Sequence, residues 1–88
     1  MTSKQEIKNL FTAELKNTPQ YQIVLDIKQV ILNEIATPKV ESQVIYNFET
    51  IQTDEEVGII RMCMIIEFGF DTNSISNNAV IIDMKNFL

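Results

Sequence analysis

Val57-Gly58-Ile59-Ile60-Arg61-Met62-Cys63-Met64-Ile65-Ile66-Glu67-Phe68-Gly69-Phe70 is the longest largely apolar run of the chain, broken only by Arg61 and Glu67. Read at period two, Ile60, Met62, Met64, Ile66, Phe68 and Phe70 fall on one face, and Ile59, Arg61, Cys63, Ile65, Glu67 and Gly69 on the other. A strand that is apolar on both faces belongs in the middle of a sheet, so this reading places a central strand from Val57 or Gly58 to Phe70.

The neighbouring segments fit a sheet built around it. From Val40 to Thr50, Val44, Tyr46 and Phe48 alternate with Gln43, Ile45, Asn47 and Glu49, the pattern of a half-buried strand. Thr53-Asp54-Glu55-Glu56 then reads as a polar link of hairpin length. Asp71 to Asn78 is a loop of turn-forming residues, and Ala79 to Met84 is a third strand with Val80, Ile82 and Met84 on one side. Phe87-Leu88 either extend that strand or hang free.

Before residue 39 the period is helical. Ser3-x-x-Glu6 fits a capping box. Ile7, Leu10, Phe11 and Leu15 follow at helical spacing, with Lys4, Lys8 and Glu14 mostly on the other side. Thr18-Pro19 starts a second helix that runs to Ala36, with Val24, Ile27, Ile31 and Ile35 as its stripe. Tyr21, Ile23, Leu25 and Ile27 also alternate, so a strand competes with helix over residues 19–25. The expected fold is α+β in one domain, residues 1–88. Two N-terminal helices precede a three-stranded antiparallel meander and pack on its even-numbered face.

The chain has 88 residues, one cysteine, no histidine and a net charge of −5. Residues 1–39 carry five lysines against four acids, and residues 40–88 carry Arg61 and Lys85 against eight acids. This acidity disfavours direct nucleic-acid binding and anionic membranes. A lone Cys63 forms no intramolecular disulfide, and no stretch reaches the length of a membrane span. The N-terminal residues lack the apolar core of a signal peptide. The expected location is the cytoplasm.

The usual chemistries find no constellation. Without histidine there is no Ser-His-Asp or Cys-His pair and no zinc site of ordinary ligand set. Asp54, Glu55 and Glu56 suit a solvated turn better than a divalent-cation site. Cys63 reads as a small hydrophobe, and Met62, Met64 and Met84 as core filling. No catalytic residue, metal or cofactor is expected.

What remains is binding. The second face of the expected sheet carries Ile45, Ile51, Ile59, Cys63, Ile65 and Ile81, too much apolar surface to leave in water if contiguous. Helices on both faces, a second copy, or a foreign partner would each cover it. The first expectation is a non-enzymatic protein-interaction module, a homodimer associating through its sheet at Ile59, Cys63, Ile65, Ala79 and Ile81. The alternative is an acidic inhibitor that occupies the basic groove of a nucleic-acid enzyme with Glu41, Glu49, Asp54, Glu55, Glu56, Glu67 and Asp71. Small size and an Ile- and Asn-rich composition suit a factor encoded by a phage or mobile element.

Overall fold

Thr53 and Glu56 turn the central apolar run into a helix. The Glu56 amide donates to Thr53 Oγ1 at 3.2 Å, and the Thr53 amide donates to the Glu56 carboxylate at 3.0 Å. This reciprocal capping box satisfies amides that a helix start otherwise leaves without partners. Asp54, Glu55 and Glu56 fill the first turn, where the helix dipole favours negative charge. At the other end Gly69 adopts φ +79°, the left-handed conformation that stops a helix, and its amide donates to the Ile65 carbonyl at 2.8 Å.

The computed structural model describes residues 3–69, 71 and 74–87. The chain order is α1 Lys4–Lys16, α2 Pro19–Ile35, β1 Gln43–Asn47, α3 Asp54–Phe68 and β2 Ala79–Asp83, followed by a 3-10 turn at Met84–Phe87. The expected three-stranded meander is therefore wrong. The described fold has three helices and two antiparallel strands, and its expected central strand is α3. Thr53-Asp54-Glu55-Glu56 is a helix start and not a hairpin link. Phe70 and Leu88, expected at the ends of the second and third strands, lie outside the described residues, as do Thr72 and Asn73 of the expected loop.

The run misleads at period two because α3 is apolar on several sides. Ile60, Cys63 and Met64, at helical spacing, are buried, while Met62 and Ile65 are 38% and 40% exposed. Both α1 and α2 pack against α3, with α2 the closer neighbour. A helix with neighbours on more than one side needs no polar stripe, and its sequence loses the 3.6-residue signature.

With the middle strand gone, β1 and β2 pair directly in the register Gln43↔Asp83, Ile45↔Ile81 and Asn47↔Ala79. The inward-facing sets match the expectation: Val80, Ile82 and Met84 are buried, and Val44, Tyr46 and Phe48 pack against the same core. Ile45 and Ile81 sit opposite each other on the outer face. The core joins these residues to Leu15, Val24, Ile27, Ile31, Ile60, Cys63 and Met64.

Residues 19–25 are helical, so the strand alternative fails there. Pro19 occupies the first turn, where its missing amide costs nothing. Thr18 holds the N-cap backbone geometry, but its hydroxyl donates to the Leu15 carbonyl at 2.6 Å instead of capping α2. Ser3 caps α1, accepting from the Glu6 amide at 3.1 Å, but the return bond of the expected capping box, from the Ser3 amide to the Glu6 carboxylate, is not formed among the described residues. No helix among the described residues is long and apolar enough to cross a membrane.

The helical reading of residues 54–68 separates two methionines that a strand would treat alike. Met64→Ala should destabilise by about 2–4 kcal/mol and Met62→Ala by under about 1 kcal/mol, measured by urea denaturation. Gly58 lies exposed in α3 with nothing within 4 Å of an added Cβ. Gly58→Ala should therefore raise stability by roughly 0.5–1 kcal/mol in the same assay.

Candidate functional site

Helix α1 leaves its apolar stripe uncovered. Of Ile7, Leu10, Phe11 and Leu15 only Leu15 is buried; Ile7 is 58%, Leu10 66% and Phe11 49% exposed. Phe11 also lines a shallow apolar groove of about 140 Å³ against α3, together with Lys8, Thr12, Met62, Ile65 and Ile66. The stripe and the groove thus meet at Phe11. The molecule measures 51 × 28 × 19 Å, with a radius of gyration of 14.1 Å. A compact chain of this length would have a radius near 12 Å.

The sheet presents a second apolar surface. Ile45, Ile75, Ala79 and Ile81 line a concavity of about 340 Å³ with Ser74 and Ser76. The residues expected to form one self-association face are therefore dispersed. Ile59, Cys63 and Ile65 belong to α3, and only Ala79 and Ile81 lie on a strand. Cys63 is fully buried, with Sγ 3.9 Å from the Leu15 carbonyl, and burial pushes its thiol above the ordinary value.

The two edges of the sheet differ. On the β2 side, Ile81 donates to the Ser74 carbonyl at 2.7 Å and Ser76 donates to the Ala79 carbonyl at 2.8 Å, so the segment 74–76 covers that edge. On the β1 side, the bonds Phe48 N–H to Asn78 and Met84 N–H to Ser42 set the phase of the ladder. In that phase the amides and carbonyls of Gln43, Ile45 and Asn47 point away from β2. Among the described residues no hydrogen bond satisfies them. Beside this edge, Ile23 and Asp26 of α2 and Tyr46, Phe48, Glu49, Thr50 and Gln52 enclose a cavity of about 150 Å³. Burial first, then the carboxylates of Asp26 and Glu49, raise the Tyr46 phenol above its ordinary range. Gln52 is 5% exposed, and its side-chain oxygen has no hydrogen-bond partner among the described residues.

The expected acidic surface is mostly engaged within the fold. Glu56 caps α3 and accepts from Gln20 Nε2 at 3.1 Å. Those bonds, led by the one from Thr53, hold the Glu56 carboxyl below its usual range. Asp54 accepts from Asn77 at 3.0 Å, and Asp71 takes both arms of Arg61 at 2.6 and 2.5 Å. Glu67 accepts from the Tyr21 hydroxyl and pairs with Lys28 at 3.5 Å. No ion pair or hydrogen bond engages the carboxylates of Glu41, Glu49 and Glu55 among the described residues. There too, no group of three or more Cys, Asp or Glu side chains is placed to hold a metal ion.

Sequence reasoning missed the β1 edge cavity because Asp26 and Glu49 meet only when α2 folds under β1. Comparison of the chain with protein-family models, curated proteins and solved structures finds no match.

The Tyr21–Glu67 bond gives a pH signature. Hydrogen bonding to Glu67, followed by burial, pushes the Tyr21 phenol up to about 12. Its unfolded value is about 10. The bond's contribution is therefore whole below pH 10 and is lost as pH rises towards about 12. Tyr21→Phe should cost about 1–2 kcal/mol at neutral pH. In urea titrations at increasing pH, the gap between variant and wild type should close across that alkaline window.

Proposed function

We propose that the protein is a non-enzymatic interaction module that pairs with a second copy of itself through the exposed face of α1. The supporting observation is the uncovered stripe of Ile7, Leu10 and Phe11, continued by the groove that Met62 and Ile65 form with Phe11. Helices in water are held by burying such a stripe, and α1 buries only Leu15 of it.

The exposed area is larger than that of a compact chain. The chain exposes 6140 Å², where a folded monomer of 10.1 kDa would expose about 5,300 Å². The excess is close to the roughly 800 Å² that each side of a standard interface buries. Charge favours a second copy as the occupant. Lys4 stands one turn before Ile7 and Glu14 one turn after Leu10, so in the helix both lie on the stripe's own side and not on the opposite side expected from the sequence. Antiparallel packing of two α1 stripes brings Lys4 of each copy towards Glu14 of the other. These exposed pairs set orientation more than strength, and the apolar contact carries the affinity.

This places the association on helices, where the sequence reading had placed it on the sheet. The acidic-inhibitor reading draws less support, since Asp54, Glu56, Glu67 and Asp71 each make a hydrogen bond or ion pair within the chain that a basic partner would have to compete with.

Size-exclusion chromatography with light scattering, over a concentration series at low and high salt, tests the proposal. The wild type should form a dimer that persists at high salt. Leu10→Glu, at a position 66% exposed and so of little consequence for folding, should be monomeric with an unchanged far-ultraviolet circular dichroism spectrum. A wild type that is monomeric at every concentration, or a Leu10→Glu variant that still dimerises, would overturn it.

A further inference from the structure

We infer that the free edge of β1 takes up an extended segment of another protein, and that a lysine or arginine of this segment enters the cavity between Asp26 and Glu49. The inference concerns a different surface from the α1 face and stands independently of it.

The edge supplies the backbone half of the recognition. Gln43, Ile45 and Asn47 direct amides and carbonyls outward with no described partner, and all three residues are exposed. An added antiparallel strand would bond to each of them, extending the sheet from two strands to three. The opposite edge is already taken by residues 74–76.

The cavity supplies the side-chain half. Side chains of an added strand alternate, and those on the inner side lie beside Tyr46 and Phe48, above Ile23 and Asp26. The cavity holds two carboxylates, two aromatic rings and the Gln52 amide, whose oxygen has no described partner. Ionised carboxylates accept only, and aromatic faces attract cations. A long cationic side chain suits this lining, because its methylenes lie against the rings and its head reaches the acids.

Charge argues against a second copy on this edge. Between Lys39 and Arg61 the chain has no basic residue, so another β1 brings no cation to the cavity. A two-fold axis at Ile45 would also set Glu41 of one copy opposite Glu49 of the other, a like-charge pair repeated twice.

The probes are two short acetylated peptides of alternating threonine and valine, identical except for a central lysine or norleucine. Protein amide resonances are followed by NMR during titration. The lysine peptide should shift Gln43, Ile45 and Asn47 and bind roughly fivefold or more tightly than the norleucine peptide at low salt. The double variant Asp26→Asn, Glu49→Gln should lose that preference while retaining weak binding of both peptides. Ile45→Pro removes an outward amide that the β1–β2 ladder does not use, and should weaken both peptides with the remaining spectrum preserved. Any of these results would overturn the inference: no shift with the lysine peptide in millimolar excess, equal affinity for the two peptides, a lysine preference that survives the double variant, or shifts confined to α1 and α3. If Gln43, Ile45 and Asn47 shift with protein concentration alone, the occupant is a second copy and the inference fails.

Discussion

The carboxylate of Glu56 joins three parts of the chain. One oxygen accepts from the Thr53 amide and closes the first turn of α3; the other accepts from the buried side chain of Gln20 in α2. The same bonds keep the group ionised, because each is made to the charged form. Once that turn is set, the following residues take helical spacing, and Ile60, Cys63 and Met64 face the buried residues of α2 and β2. Without it the run from Val57 to Phe68 has a credible life as a strand, for its β-branched and apolar content satisfies either period. The capping box thus favours a helical start by about 1 kcal/mol, and the packing of Ile60, Cys63 and Met64 in the core holds the helix that follows.

The consequences reach the sheet. A central strand would have given each outer strand a neighbour and made the sheet wide enough to carry both helices. With α3 in its place, β1 and β2 must pair with each other, and the sheet is too narrow to shield everything. The helix α2 takes the inner face of the sheet and one side of α3. That leaves α1 only the remaining side of α3, where Leu15 alone is buried. The exposed stripe of α1 therefore follows from how little surface the two-stranded sheet and α3 leave for a third helix.

Much of the local structure was legible in the sequence. Ser3 and Glu6 marked the start of α1, Thr18-Pro19 the start of α2, and the alternation through Val44 and Tyr46 and through Val80 and Ile82 marked both strands with the correct inner faces. The failure lay in α3. Thr53-x-x-Glu56 is the same signature as Ser3-x-x-Glu6, but Thr53-Asp54-Glu55-Glu56 also has the polarity and length of a hairpin link, and the run after it is apolar at odd and even positions alike, which suits a central strand as well as a helix. Period is a sound guide where one face is wet, and it loses force where a helix is packed on several sides. Of the surfaces, the exposed apolar residues were visible as an excess but were assigned to one sheet face. The meeting of Asp26 with Glu49 and Tyr46 was not visible, since it depends on tertiary packing between residues more than twenty positions apart.

The distribution of acids separates the two uncovered surfaces by the kind of partner each admits. On α1 the uncovered residues are apolar and the flanking charges are of opposite sign at the two ends, an arrangement complementary to itself when reversed. Beside the open edge of β1 the acids Asp26, Glu41 and Glu49 share one sign, an arrangement that disfavours a second β1. Open sheet edges invite pairing between copies, and charges beside them are one means of preventing it. Asp26 and Glu49 also line the cavity, so on the proposed reading the repulsion that would keep β1 from a second β1 would attract a basic strand. Apolar area would set how strongly each surface holds the partner proposed for it, while the sign and placement of a few carboxylates would decide between partners.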